Sequence, residues 1–573
     1  MRRTLVGLVC IVVLAAGCAD SGPGTGSKDA TTTTTASGGS TSTTAAADGA
    51  VTCGQGCTPP TDIGPAGERT LPLEVAPDRA GLSSDPMYGR GASLIDLDGD
   101  GWDDLFLSDT DARLSGDDFG VSRAYRNVSG RFEPWDLGFD EADLYQNGGA
   151  IFGDYTNDGA PDVLLLNGNN TGPAKVALYE NHLADDGRFV RADDAGITDE
   201  EGYWWGATWV DVDGDDRLDL VLTGMELLFY RNLGDGTFAE EAAARGLALA
   251  GNLHNPIALD IEGDGDEDLF VASMTGSHLF ENDGEGRFRD VTTEALGDDF
   301  VGPTSWGWIA EVADFDQDGD DDIWLGRWYY RTQLLVNHGD GTFERHADDV
   351  GIDARVVAED PAQINDADAY AGLLDEGDDA RENTMGLLVA DLDIDGFPDV
   401  VIGPGTPVDA NPTIVYCGVP GVQVRFERCS EPVRTAAGLG RGHGATAGDI
   451  DHDGDVDLIL LPGGFPPFDV STGQDTREPP VVLLGTTGGD ATARIRLRPS
   501  AAGLPVESSR IEVRSGSDRH FGTIRSAHGF EDMTPPELVV PVSGTAEVTV
   551  TWPDGSTSKA EVQPGDALTL VRP

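Results

Sequence analysis

The chain has 573 residues, 39% hydrophobic and 7% aromatic, enough for a large buried core. Its 102 acidic residues outnumber 37 basic ones, and a formal net charge of −65 repels nucleic acid and anionic lipid headgroups. Only three lysines occur (Lys28, Lys175 and Lys559), so no polybasic patch exists, and with no acidic low-complexity tail the carboxylates belong to the folded part. They serve there as solubilising charge or as cation ligands.

In chain order, the first element is an export signal over 1–17. Arg2 and Arg3 precede the apolar run 5–16, too short to span a bilayer as a helix. The junction A-A-G-C (15–18) resembles a bacterial lipobox, which makes Cys18 the expected lipidated residue; ordinary secretion and an uncleaved anchor are the alternatives. Residues 18–67 read as a Thr/Ser/Gly-rich tether with nothing to bury. Among the remaining cysteines, the expected disulfides are Cys53–Cys57 and Cys417–Cys429, the second closing a strand–turn–strand hairpin over 416–429. A Cys-x3-Cys metal or redox site is the rival for the first pair.

From residue 68 to 489 one acidic pattern, D-x-[DET]-x-D-[GD]-x-x-D, recurs seven times, starting at Asp96, Asp154, Asp211, Asp260, Asp314, Asp391 and Asp449. Each copy follows a short strand-like run such as GATWV (206–210) and leads into another such as LVLT (220–223). Two further runs flank a glycine turn, as in YRNLGDGTF (230–238). The unit is four antiparallel strands, so the expected fold is all-β: a seven-bladed β-propeller plus a small C-terminal β domain over 490–573. The seventh repeat lacks a fourth strand, and the segment 70–82 is the expected closing strand.

Carboxylates at the first, third, fifth and ninth residues of a tight loop, with a carbonyl at the seventh, suit calcium, which takes six to eight oxygens and tolerates irregular geometry. Up to seven structural Ca2+ sites are expected. The ligands in the first loop are Asp96, Asp98, Asp100 and Asp104, with the carbonyl of Trp102. The next two loops use Asp154, Thr156, Asp158 and Asp162, then Asp211, Asp213, Asp215 and Asp219. The fourth and fifth use Asp260, Glu262, Asp264 and Asp268, then Asp314, Asp316, Asp318 and Asp322. Asp391, Asp393, Asp395 and Asp399 form the sixth set, and Asp449, Asp451, Asp453 and Asp457 the seventh. Thr156 makes the second site the weakest, and Asp216 in place of the turn glycine strains the third. An EF-hand needs a glutamate at the twelfth position, where the first loop has Leu107 inside an apolar run.

The repeats resemble the FG-GAP/VCBS type of integrin α-subunits and secreted bacterial proteins. The C-terminal runs IRLRP (495–499), GTIRSAHGF (522–530) and VTVTWPDGSTS (548–558) resemble the ASPIC/UnbV domain of the cartilage acidic protein family. That resemblance implies a non-enzymatic binding or adhesion module for a protein or glycan, held at the bacterial cell surface through the lipid. The alternatives are a polysaccharide lyase-like enzyme on a calcium-braced propeller and a purely structural role. No catalytic motif and no catalytic residue is found, and no nucleic-acid partner is expected. Counting back six and eight residues from each motif reaches the start of each innermost strand. The expected ligand face there includes Tyr88, Arg90, Trp205, His254, Trp308, Arg441 and His443, with packing between blades as the plainer alternative.

Overall fold

The computed structural model describes residues 69–573 apart from 77–79, 83–84, 110–120, 145–146, 168–173, 198–200, 298–299, 301–306, 328–331, 353–383, 405–410, 422–423, 438, 441, 464–476, 488, 501 and 526–531. The export signal, the tether, Cys18, Cys53, Cys57 and Arg441 lie outside these residues.

Seven four-stranded antiparallel sheets account for the repeats. The third shows the pattern. Trp204–Val210 pairs with Asp219–Gly224, which pairs with Leu227–Asn232 and then Phe238–Glu240. The acidic motif joins the first strand to the second. In the seventh sheet the outermost strand is Leu73–Val75, paired antiparallel with Val481–Gly485, so the beginning of the repeat region completes its end. First strands of successive sheets lie side by side around a ring, and Ala445–Gly448 of the seventh returns to Ala92–Ile95 of the first. The arrangement is propeller-like and all-β.

The apolar face of each sheet cannot be covered by its own strands, so it packs on the next sheet. Seven buried clusters result, one between each neighbouring pair. Trp209 fills the gap between the second and third sheets, and Trp324 that between the fifth and sixth. Truncating either to Ala should cost about 3–5 kcal/mol. Glycines let the innermost backbones approach: a Cβ on Gly206 would meet the His254 carbonyl at 2.1 Å, and one on Gly386 the His443 carbonyl at 2.1 Å.

Beyond the ring, Glu537–Pro541, Thr492–Arg498 and Ala567–Val571 form one sheet. Asp518–Thr523, Arg510–Ser515, Ala546–Thr551 and Thr557–Val562 form a second. Ile495, Leu497, Val513, Val548 and Trp552 are buried between them. Met533 leaves this domain for the ring: its amide donates to the Ala92 carbonyl at 3.0 Å, and its carbonyl accepts the Leu94 amide at 3.1 Å. Cys417 and Cys429 are bonded (S–S 2.00 Å), closing the hairpin of the sixth sheet.

Candidate functional site: the acidic loops and the ring mouth

All seven acidic loops share one internal geometry. The outer oxygen (Oδ2) of the first aspartate accepts the backbone N–H of the sixth residue at 2.7–3.2 Å. That sixth residue is left-handed in every loop, glycine in six and Asp216, at φ 62°, in the third. The fourth residue is left-handed too: Gly99, Gly214 and Gly263 in three loops, and Asn157, Gln317, Ile394 and His452 in the others. A branched residue such as Ile394 rarely adopts that region, so the loop imposes the conformation.

The ninth aspartate does more than the sequence reading assigned to it. Its Oδ1 accepts an amide at or next to the end of the third strand in every sheet, at 2.7–3.0 Å. In five loops its Oδ2 also accepts the amide of the second loop residue, at 2.8–3.1 Å. The carboxylate ties loop to sheet whatever else it binds. Trp102, expected to offer its carbonyl, also stacks its ring on His452 of the seventh loop at 3.8 Å.

Electrostatically the loops are overloaded. Burial, with neighbouring carboxylates adding to it, pushes Asp104 and Asp457 up to about 8 and Asp268 up to about 9. Asp154 and Asp449 rise to about 7 and Asp314 to about 8 for the same reasons. Oxygens of Asp96, Asp98 and Asp104 lie within 4.8 Å of one another, as do those of Asp211, Asp213 and Asp215, of Asp260, Glu262 and Asp268, and of Asp314, Asp316 and Asp322. Several buried oxygens in the seven loops have no hydrogen-bond partner: Asp96 Oδ1, Asp213 Oδ1, Glu262 Oε2, Asp393 Oδ1 and Asp449 Oδ1. Clustered, unpartnered carboxylate oxygens fit a hard, oxygen-seeking cation such as calcium.

Arginines take the outward oxygens. Arg126 pairs with Asp98 Oδ2, Arg245 with Asp213 Oδ2 at 3.3 Å, and Arg69 with Asp395 Oδ2 at 2.7 Å. The C-terminal domain adds Arg498 on Asp96 Oδ2 at 2.6 Å and Arg494 on Asp449 Oδ2 at 3.5 Å. It also pairs Arg510 with Asp260 at 3.9 Å, Arg525 with Asp321, and Arg572 with Asp216. At the second loop Gly503 abuts the Asn157 backbone, where a Cβ would meet the carbonyl at 1.9 Å. His520 approaches the Gly396 carbonyl of the sixth loop at 3.5 Å. The C-terminal domain therefore reaches all seven loops, which no sequence signal announced.

The expected ligand face needs correction. Tyr88, Arg90, His254, Trp308 and His443 are all buried, Arg90 and His443 at 1% exposure. Ring closure brings the innermost strands together, so side chains six residues before each motif pack on one another instead of facing solvent. Trp205 stacks on His254 at 5.0 Å, and His254 meets Trp308 at 4.1 Å. Burial, helped by the nearby Arg90 charge, holds His254 down to about 3, so this imidazole is neutral. Among the described residues of the row, Tyr203, 41% exposed, stacks beside Trp205 at 6.3 Å, and Met225 is 53% exposed in the adjoining turn.

A family model for the FG-GAP-like repeat matches residues 154–222 and 260–325. Human cartilage acidic protein 1 is 25% identical over 400 residues, covering 65% of this chain and 54% of its own length. The mouse protein is 24% identical over 400 residues and the Xenopus tropicalis protein 25% over 385. The chain thus spans about half the length of the curated relatives it matches. Among solved structures, a lectin from Agrocybe aegerita that recognises non-reducing terminal N-acetylglucosamine aligns at 19% identity and a TM-score of 0.37, over 59% of this chain and 79% of that one. BBS1N, from its complex with ARL6DN, aligns at 11% identity and a TM-score of 0.37, over 73% of this chain and 98% of that one. The chain carries FG-GAP-like repeats at 154–222 and 260–325 and is similar to cartilage acidic protein 1.

Proposed function

We propose that this chain is a non-enzymatic extracellular binding protein, braced by calcium in its acidic loops and tethered through Cys18, that takes a carbohydrate at the mouth opposite those loops. One observation carries the choice of face. The loop face is occupied by the chain's own C-terminal domain, whereas Tyr203 and Met225 stand exposed at the other end of the third sheet beside the half-buried Trp205. Stacked aromatic faces of this kind suit the C–H surfaces of a sugar ring. The export signal expected over 1–17 points the same way. The lyase reading loses its support with the burial of Arg90 and His443, because a buried set cannot reach a glycan backbone.

The test is a glycan array on the calcium-loaded, exported chain, repeated with Y203A and W205A. Binding lost in both variants with unchanged melting supports the carbohydrate reading. Binding kept in both moves the site elsewhere, and no glycan bound by the wild type redirects the search to a protein ligand. For calcium, dialysed protein analysed for metal should hold several ions per chain, and chelator should lower the melting temperature through ligand linkage.

A further inference from the structure

The cap formed by the C-terminal domain touches the loops at the places a bound cation would shape. Thr492 Oγ1 donates to the Gly454 carbonyl at 2.8 Å, and Arg496 Nη1 to the Gly101 carbonyl at 3.4 Å. Both acceptors are the left-handed sixth residues of their loops, with φ of 88° and 98°. Those carbonyls take up their positions only when the loop curls so that its sixth amide reaches the first aspartate.

The charge contacts follow the same logic. Arg498 and Arg494 take the Oδ2 atoms of Asp96 and Asp449, while the Oδ1 atoms of both residues are buried without a hydrogen-bond partner. Guanidinium and cation would thus use different oxygens of one carboxylate. Two arginines, Arg126 and Arg498, cannot neutralise the four carboxylates of the first loop (Asp96, Asp98, Asp100 and Asp104), so without a cation their mutual repulsion opens the curl. The docking surface then loses its shape even though its negative charge remains.

From this geometry we infer that the C-terminal domain docks on the cation-closed form of the acidic loops, so that calcium occupancy and domain docking stabilise each other. The coupling is reciprocal: whatever undocks the domain weakens calcium binding at the first and seventh loops. The inference rests on the calcium reading above and extends it from bracing each loop to joining two parts of the molecule.

Hydrogen exchange on the full exported chain tests it, with calcium withdrawn stepwise by chelator. The reporters are the amides of Leu94 and Met533, which hydrogen-bond across the boundary between ring and C-terminal domain. The references are the amides of Glu241 and Val291, which donate to the Phe229 and Leu279 carbonyls of their own sheets, away from the acidic loops. Partial chelation should speed exchange of the reporters by about tenfold or more while the references stay protected. The R494A/R498A double variant should reach that state at lower chelator concentration, and R514A, whose partner Glu512 lies in its own domain, should behave as the wild type. Calcium that binds without altering the reporters overturns the inference alone, as does simultaneous release of reporters and references. A chain that binds no calcium overturns the calcium reading and this inference with it.

Discussion

Five of the seven sheets carry asparagine at the end of their third strand or, in the second sheet, one residue before it, whereas the sixth and seventh have Gly418 and Gly485 there. The asparagines do work the glycines cannot. Asn127, Asn181, Asn232 and Asn282 each donate from Nδ2 to the second residue of the preceding loop, at 2.8–3.0 Å. Asn337 donates to Asp321 of its own loop at 3.3 Å, and the preceding loop is met instead by the Gly341 amide on the Ile261 carbonyl at 3.1 Å. Neighbours forbid the same solution in the last two sheets. A Cβ on Gly418 would meet Phe397 at 2.8 Å, and one on Gly485 would meet Asp455 at 2.4 Å. There the join comes from outside the repeat. Arg69 donates to the Gly418 carbonyl at 3.1 Å, Leu71 donates to Glu431 at 3.0 Å, Leu73–Val75 adds the outermost strand of the seventh sheet, and the disulfide fastens the sixth. In four sheets one asparagine side chain joins its sheet to the preceding one, the first to the seventh included; at the sixth and seventh sheets residues 69–75 supply the contacts, and a disulfide ties two strands of the sixth together.

That contrast predicts a ranked set of effects. Deleting 69–76 removes the closing strand and both latches, and should abolish cooperative unfolding altogether, read by calorimetry and size-exclusion profile. A ring that still melts in one sharp transition would mean the seam contributes little. Next comes C417S/C429S, which frees a 12-residue separation and should cost about 3 kcal/mol in denaturant unfolding.

N232A should cost about 2 kcal/mol, because the buried carbonyls of Tyr155 and Leu218 each lose their donor. Restoring symmetry by G418N should destabilise rather than help, since the added side chain runs into Phe397. The smallest effect is expected for R69A. Its ion pairs with Asp393 and Asp395 are one-third exposed and worth about 0.5–1 kcal/mol, so a larger loss would show that its hydrogen bond to Gly418 dominates.

The loops and sheets were legible because each is a local event. Carboxylate spacing, turn glycines and alternating apolar runs act within a few residues, and seven copies make the pattern visible. The asparagine at the end of Y-R-N, F-E-N and L-V-N was on view in the same copies, yet its role was not. Its partner lies in a different repeat, so nothing near it in sequence marks the bond. The left-handed fourth residue escaped for a related reason: His452 and Ile394 carry no local sign of that conformation, and the loop around them imposes it.

The residues before each motif show the limit most clearly. Spacing put Arg90, His254, Trp308 and His443 at the inner ends of their strands, but only the closing of seven strands on one another decided that they are buried and Tyr203 is not. The docking of the C-terminal domain was likewise invisible, because its arginines alternate along a strand like any exposed face until a partner surface is present. The sequence by itself determined the number of repeats, the acidic chemistry of their loops and the hairpin disulfide, all encoded over short stretches. The tertiary structure alone decided which face the chain covers with itself and which it leaves open, because burial belongs to surfaces brought together from hundreds of residues apart.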